Sequence, residues 1–407
     1  MSSPEAPHAH LDVIDTREGY LAAVKAIAAG EGPIAIDAER ASGYRYSQRA
    51  YLIQIFRRGA GTFLFDPPAI GRFEELDAVL ADEEWILHAA TQDLTCLREV
   101  GLDPRRLFDT ELAARLAGLA RVGLGSVVEE LLGIHLAKEH SAADWSTRPL
   151  PQAWLVYAAL DVELLVDLRE ALGEVLEAAG KSELAAQEFQ SVLDRDLVIV
   201  RAEPWRRLNG LSSVRGARNL AIARELWRAR DAVARETDTA PGRLVPDASL
   251  VAAARVAPAT KRDLAALKEF TGRASRTRID DWWDALERGR ATQDLPPVRG
   301  VADRDSLPPA RAWSDRNPEA DRRLKAARAV VSGIAEEMAL PVENLVTPDY
   351  LRRVAWAPPS PLDAAAVSQA LTASGARPWQ VERIASAVAE AFVTADQSPD
   401  GAVESAS

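Results

Sequence analysis

Short apolar runs crowd the first half of the chain, and long amphipathic stretches fill the second. Pro33-Ile34-Ala35-Ile36-Asp37-Ala38-Glu39, Tyr51-Leu52-Ile53-Gln54-Ile55-Phe56 and Thr62-Phe63-Leu64-Phe65-Asp66 each read as a strand, rich in β-branched and aromatic residues. Between the second and third, Arg57-Arg58-Gly59-Ala60-Gly61 has the glycine content of a hairpin turn and predicts antiparallel neighbours. Trp85-Ile86-Leu87-His88 predicts a fourth strand, with a helix starting near Gln92. From about residue 110 the apolar positions recur at three and four residues, as in 126–132 and 153–172, so helices follow. Strands first and helices afterwards predict a mixed sheet with helices packed on it over residues 13–200.

Beyond residue 201 no strand pattern remains. Amphipathic stretches at 217–235 and 320–338 flank a proline-rich segment with Leu-Pro-Pro-Val-Arg-Gly and Leu-Pro-Pro-Ala, where consecutive prolines cannot continue a helix. The expected organisation is a polar tail (1–12), the α/β domain (13–200), a helical domain (201–292), a linker (293–319), a second helical domain (320–396) and a short tail (397–407). The helical domains share an internal repeat: residues 101 apart match at Glu236 and Glu337, Leu244 and Leu345, Val245 and Val346, Leu250 and Leu351, and Pro258 and Pro359.

Charge changes the picture next. The net charge of −12 argues against a polyanionic partner, yet residues 201–290 carry 19 Lys and Arg against 12 Asp and Glu. That segment reads either as a nucleic-acid-binding surface or as an arginine-rich solvated one. No apolar stretch approaches the roughly 18–20 residues of a membrane span. The start, MSSPEAPHAH, lacks the basic and apolar regions of a secretory signal, and the single cysteine, Cys96, excludes an internal disulfide and a cysteine-based zinc cluster, so a cytoplasmic protein is expected.

Candidate chemistry lies in acidic residues. Asp37 and Glu39, two apart on a strand, emerge on one face at its end. Asp93 falls in the first turn of a predicted helix, where the helix dipole favours a carboxylate. Tyr157 and Asp161, four apart on a helix, stack on one face. Converging carboxylates of this kind hold the paired divalent cations that phosphodiester hydrolysis uses. Each group alone better describes a solvated strand end, a cap or surface residue, or a half-buried tyrosine beside an aspartate. His88 reads as a structural residue, since hard cations prefer oxygen.

Together, in this order, the three blocks resemble the DEDD superfamily of 3′→5′ exonucleases in its tyrosine-containing subtype, DEDDy. Asp144-Trp145-Ser146-Thr147-Arg148-Pro149-Leu150 leading into Tyr157-Ala-Ala-Leu-Asp161-Val, together with Leu52-Ile53-Gln54-Ile55, is similar to the ribonuclease D family. The resemblance covers about residues 13–200. It implies an RNase H-like exonuclease fold, with Asp37, Glu39, Asp93 and Asp161 as ligands of two Mg²⁺ or Mn²⁺ ions and Tyr157 orienting the attacking water. After Glu39 the chain departs from many relatives with Arg40-Ala-Ser-Gly-Tyr-Arg45-Tyr-Ser-Gln-Arg49, whose arginines either meet phosphates or cover the sheet edge. Residues 210–290 resemble the HRDC helical domain, through Leu226-Trp227-Arg228-Ala-Arg230, Leu244-Val245-Pro246-Asp247 and Val256-Ala257-Pro258, and 320–395 look like a second, divergent copy. The implied activity is 3′→5′ trimming of RNA 3′ ends, such as tRNA precursors or other structured RNA, to 5′-mononucleotides. Single-stranded DNA remains open as a substrate, and a non-catalytic nucleic-acid-binding protein is the rival reading. Arg45, Arg49, Arg228 and Arg230 are the candidate nucleic-acid contacts; Trp282 and Trp283 either stack on bases or fill a core. Both helical domains are expected to be accessory, so that removing residues 201–407 leaves slow cleavage of short single strands.

Overall fold

The computed structural model of the 407-residue chain describes residues 11–136, 143–197, 201–270, 272–298 and 307–397. One six-stranded sheet runs in the order β1-β4-β3-β2-β5-β6, formed by β1 (Val13–Ile14), β2 (Glu31–Arg40), β3 (Ala50–Arg58), β4 (Gly61–Phe65), β5 (Glu84–Leu87) and β6 (Arg106–Asp109). β2, β3 and β4 are antiparallel neighbours, whereas β5 runs parallel to β2 and β6 parallel to β5. The β3–β4 turn places Gly59 at φ 80° and Gly61 at φ 95°, a left-handed backbone that explains the glycines there.

Two strands escaped the pattern. β1 has two residues and β6 four, too short to show alternation, and they form the two edges of the sheet. The continuous helical pattern over 153–172 also conceals a break: one helix spans Gln152–Glu163 and a second Leu165–Ala178, meeting at Leu164 with neither Gly nor Pro to mark the junction.

The repeat in the helical half is structural. Ala217–Glu236 and Pro318–Glu337 are both 20-residue helices, followed by the short helices Pro241–Leu244 and Val342–Leu345. Between each pair, Asp238 (φ 43°) and Ala339 (φ 48°) adopt the same left-handed turn. The linker expectation needs correction at its C-terminal end. Ala310–Ala312 and Trp313–Arg316 are helical turns, and Trp313 is fully buried with its Nε1 donating to the Pro308 carbonyl at 2.8 Å. The prolines there precede helical turns rather than exclude them; residues 299–306 lie outside the described residues.

The two copies attach differently. Residues of the second copy, including Trp313, Leu324, Val331, Leu345, Leu351, Ile384 and Phe392, belong to one apolar cluster with the α/β domain. Across that junction Arg377 donates from Nε and Nη2 to Glu188 at 2.5 and 2.6 Å, Trp379 Nε1 donates to the same carboxylate at 2.8 Å, and Lys181 Nζ reaches the carbonyls of Leu116 (2.8 Å) and Ala339 (3.4 Å). The expectation that a chain lacking residues 201–407 binds RNA more weakly yet still slowly cleaves short single strands carries a cost at this copy, because its removal would expose one side of the catalytic domain's core. The first copy has its own core around Trp205, Leu226, Leu250, Phe270 and Trp282. No helix among the described residues is long and apolar enough to cross a membrane.

Candidate active site

β2 supplies the centre of the site. Its pairing with β5 is recorded at Ile34 and Ala35, opposite Trp85 and Ile86, and the chain after β5 turns away at Ala89 (φ 60°). Beyond that point β2 has an open flank, and Asp37 and Glu39 occupy it on one face, as the two-residue period predicts. The β2–β3 register shifts between Glu39 and Arg40, where Tyr51 is an extra residue on β3. The helix Gln152–Glu163 lies across β2, β3 and β4, burying Leu155, Ala158, Ala159 and Val162, and so delivers Tyr157 and Asp161 to the same place.

Carboxylate oxygens of Asp37, Glu39 and Asp161 all lie within 4.8 Å of one another. They sit in a cleft of about 540 Å³ that Asp93, Tyr157, His88, Arg40 and Tyr44 also line. Asp93 is outside the tight triad. It is buried where a single 3₁₀ turn passes into the helix Leu94–Glu99, and its Oδ1 lies 4.0 Å from Arg40 Nε.

Burial pushes all four carboxyls toward the neutral form. Glu39 is raised to about 10 by burial and then by the charges of Asp37, Asp161 and Asp93; Asp161 is raised to about 8 by burial and then by Asp37. Asp37 is raised by burial against opposing help from the Ala38 N–H and Arg40, and Asp93 by burial and then Asp37. Crowded carboxylates with so little positive charge between them form a donor set for a hard cation, and oxygen-only ligation suits Mg²⁺ or Mn²⁺. Burial and the neighbouring carboxylates also raise the Tyr157 phenol, so it stays protonated at neutral pH.

Two buried side chains that the sequence did not single out frame this set. Asp109, at the end of β6, accepts from the backbone N–H groups of Ala89 and Ala90 (3.0 and 2.9 Å) and of Glu111 and Leu112 (3.0 and 3.1 Å). It thereby pins the turn that carries Asp93 to the start of the next helix. Phe108-Asp109-Thr110 before a helical pattern was the available cue, an N-cap aspartate. Gln54 is paired across the sheet with Asp37 and shares its face; fully buried, its amide finds no hydrogen-bond partner. An orphaned amide beside a metal-ligand candidate is the kind of polar reserve a bound, hydrated cation would engage. His88 lines the cleft but is bound within the fold: the Thr110 hydroxyl donates to the Leu87 carbonyl, so His88 Nδ1–H donates to Thr110 Oγ1 (2.9 Å), and burial lowers its pKa to about 4.

The 3′-5′ exonuclease domain family matches residues 11–177, the HRDC domain residues 219–286, and the 3′ to 5′ exonuclease C-terminal domain residues 306–392. A ribonuclease D of Jannaschia sp. is 30% identical over 335 residues, covering 79% of this chain and 85% of the relative. The chain belongs to the ribonuclease D family. Among solved structures, a protein from Bifidobacterium adolescentis superposes with a TM-score of 0.86 at 38% identity, covering 94% of this chain and 97% of the other. Escherichia coli RNase D, described as an exoribonuclease involved in structured RNA processing, superposes at 0.64 with 27% identity, covering 85% and 90%. The RNase H-like exonuclease fold with helical domains behind it is thus that of the family.

The four arginine candidates separate in the structure. Arg45 donates from Nε to Ser146 Oγ at 2.8 Å, and Arg49 lies over the Tyr51 ring with its Nη2 3.6 Å from Asp238 of the HRDC domain. Arg228 is exposed and pairs with Glu225 at 2.8 Å. Arg230 is a correction: it is 6% exposed and donates to the Val245 carbonyl and Asp247 at 3.0 and 2.7 Å, so it braces the HRDC core and cannot meet a phosphate. Trp282 is fully buried with its Nε1 donating to the Ser275 carbonyl, which places it in the core; Trp283 is half-buried beside Arg290.

Proposed function

We propose that this chain, a metal-dependent 3′→5′ exoribonuclease, hydrolyses RNA with Asp37, Glu39, Asp93 and Asp161 holding two Mg²⁺ or Mn²⁺ ions, and that it acts on the 3′ ends of structured RNA such as tRNA precursors. The observation that carries this reading is the convergence of the Asp37, Glu39 and Asp161 oxygens within 4.8 Å, in a cleft that Tyr157 also lines. Divalent cations, when bound, would polarise the scissile phosphate and ease loss of a proton from the attacking water. The protein's own residues then have separate tasks. The four carboxylates fix the position of positive charge; Asp109 and the sheet keep them from moving apart. Tyr157, protonated, offers its hydroxyl to orient the water rather than to take its proton.

Tyr157→Phe is accordingly expected to lower kcat by about a hundredfold while leaving KM and metal affinity within about twofold, since it removes the water's orientation and a hydrogen bond to Asp161 but no cation ligand. Steady-state kinetics and a metal titration of the same variant check both halves.

The activity itself is tested by a gel time course on 5′-labelled RNA and matched DNA oligonucleotides with Mg²⁺, Mn²⁺ or EDTA. A metal-dependent ladder receding from the RNA 3′ end is the expected result. Equal trimming of DNA would widen the substrate class, and no trimming of either would overturn the reading.

A further inference from the structure

Electrostatics poses a problem at the cleft. Asp37, Glu39, Asp93 and Asp161 line it, whereas Arg40 is the single arginine or lysine among its described lining residues, and it faces Asp93. An RNA strand is itself a polyanion, so cations must meet it at the rim. The rim residues Ser42, Gly43 and Tyr44 belong to the segment that follows β2, and the HRDC domain grips that segment. The Ala240 N–H donates to the Tyr44 carbonyl at 2.9 Å, and Arg243 Nε donates to the Gly43 carbonyl at 2.8 Å. Arg243 also lays its guanidinium over the Tyr44 ring, 3.9 Å from the centroid.

That geometry leaves much of Arg243 unused. Its Nε is engaged and one face of its plane is stacked, yet it is exposed and no carboxylate among the described residues pairs with it. Several other HRDC arginines are neutralised, Arg224 by Asp294 and Glu225, Arg235 by Asp231 and Arg290 by Glu287; Arg255, Arg262, Arg273 and Arg288 share Arg243's lack of a carboxylate partner among the described residues, but none of them bonds to the segment at the cleft. A guanidinium fixed by stacking, with its terminal N–H groups free, is pre-organised for the bidentate recognition of phosphate.

We propose that Arg243, supplied by the HRDC domain, is a substrate-binding residue of the catalytic cleft, receiving a backbone phosphate of the RNA as the strand passes Tyr44. The active site is then composite. The HRDC domain contributes a contact at the cleft mouth as well as any affinity for more distant parts of the RNA. This rests on the exoribonuclease reading above.

The test is steady-state trimming of a short single-stranded RNA by the full chain, with RNA binding measured in parallel across a series of salt concentrations. Trimming by the unaltered chain tests the activity separately from the assignment of Arg243. Arg243→Gln keeps an N–H for the Gly43 carbonyl but removes the charge. It is expected to raise KM by about tenfold, the loss of one charge-assisted contact, with kcat within about twofold. The slope of log affinity against log salt should fall by about 0.7, one phosphate contact on a single strand. Arg243→Lys should restore that slope. An Arg243→Gln chain with unaltered KM and slope would overturn the proposal. So would a fall in kcat at constant KM in both variants, which would make Arg243 only a brace for the 42–44 segment, or an Arg243→Lys chain that lost the salt slope as fully as the glutamine variant.

Discussion

An Asp161→Asn chain is expected to lose trimming activity by roughly a thousandfold or more, and yet to melt about 2–4 °C higher than the unaltered chain when both are freed of metal. The first effect follows from removing one of three oxygen donors that converge within 4.8 Å, because the several kcal/mol that a positioned cation contributes to such a reaction depend on its ligands. The second has the opposite sign for a plain reason. Without metal, Asp161 crowds Asp37 and Glu39 in a cleft where burial already disfavours their charge. Asparagine relieves one member of the cluster, and about 1 kcal/mol of relief gives a shift of that size. Added Mg²⁺ or Mn²⁺ should raise the melting temperature of the unaltered chain more than that of the variant. Thermal denaturation with EDTA and with metal, beside the gel assay, reads both effects. A variant that trimmed normally would refute the site assignment, and one that melted lower without metal would refute the account of charge crowding.

Arg377→Ala carries the largest expected cost in stability. Glu188 is buried, and its carboxylate accepts from Arg377 Nε and Nη2 and from Trp379 Nε1, so the arginine is its cationic partner across the junction of the second helical copy with the catalytic domain. Removing Arg377 strands that charge, which typically costs about 3–5 kcal/mol. The expected result is a first thermal transition lowered by roughly 10 °C, because the two bodies share one apolar cluster and loosen together. Arg377→Ala combined with Glu188→Gln should recover much of the loss, since the uncompensated charge is gone. A single variant with an unaltered melting curve would mean that the junction does not depend on this pair.

Local periodicity made much of this molecule legible, and distance along the chain hid the rest. Asp37 and Glu39 could be placed on one face because strands alternate, and Tyr157 and Asp161 because helices repeat every 3.6 residues; both are properties of neighbours in sequence. Asp109 acts on Ala89 and Ala90, some 20 residues away, only because β6 lies beside β5, and no local pattern announces that order. The role of Arg230 is hidden for the same reason. A basic residue on a helix shows its charge in the sequence, whereas the Val245 carbonyl and Asp247 that claim it lie beyond the next short helix, Pro241–Leu244. Arg243 escaped notice because its partners, Gly43 and Tyr44, lie 200 residues earlier. The division of labour between the two helical copies was equally hidden. Their matching layout was visible at a spacing of 101 residues, but which copy would be welded to the catalytic core depends on surfaces that meet only after folding.

That asymmetry has a mechanical consequence. The second copy is bonded to the nuclease through continuous apolar packing, a stiff joint that resists sliding. The HRDC copy meets it along a seam made mostly of hydrogen bonds and arginine–aromatic contacts, in which Asp238 accepts from the Ser47 N–H and the Tyr51 hydroxyl, Tyr46 donates to Asp231, and Tyr46 alone of the described nuclease residues packs on the HRDC core. Each such bond contributes only about 0.5–1.5 kcal/mol net, so this seam is held more weakly than the apolar joint of the second copy. An RNA too thick for the cleft, a stem behind its single-stranded end, would be accommodated by yielding on that side. Any movement there would be passed through the segment that follows β2 to the strand that carries Asp37 and Glu39.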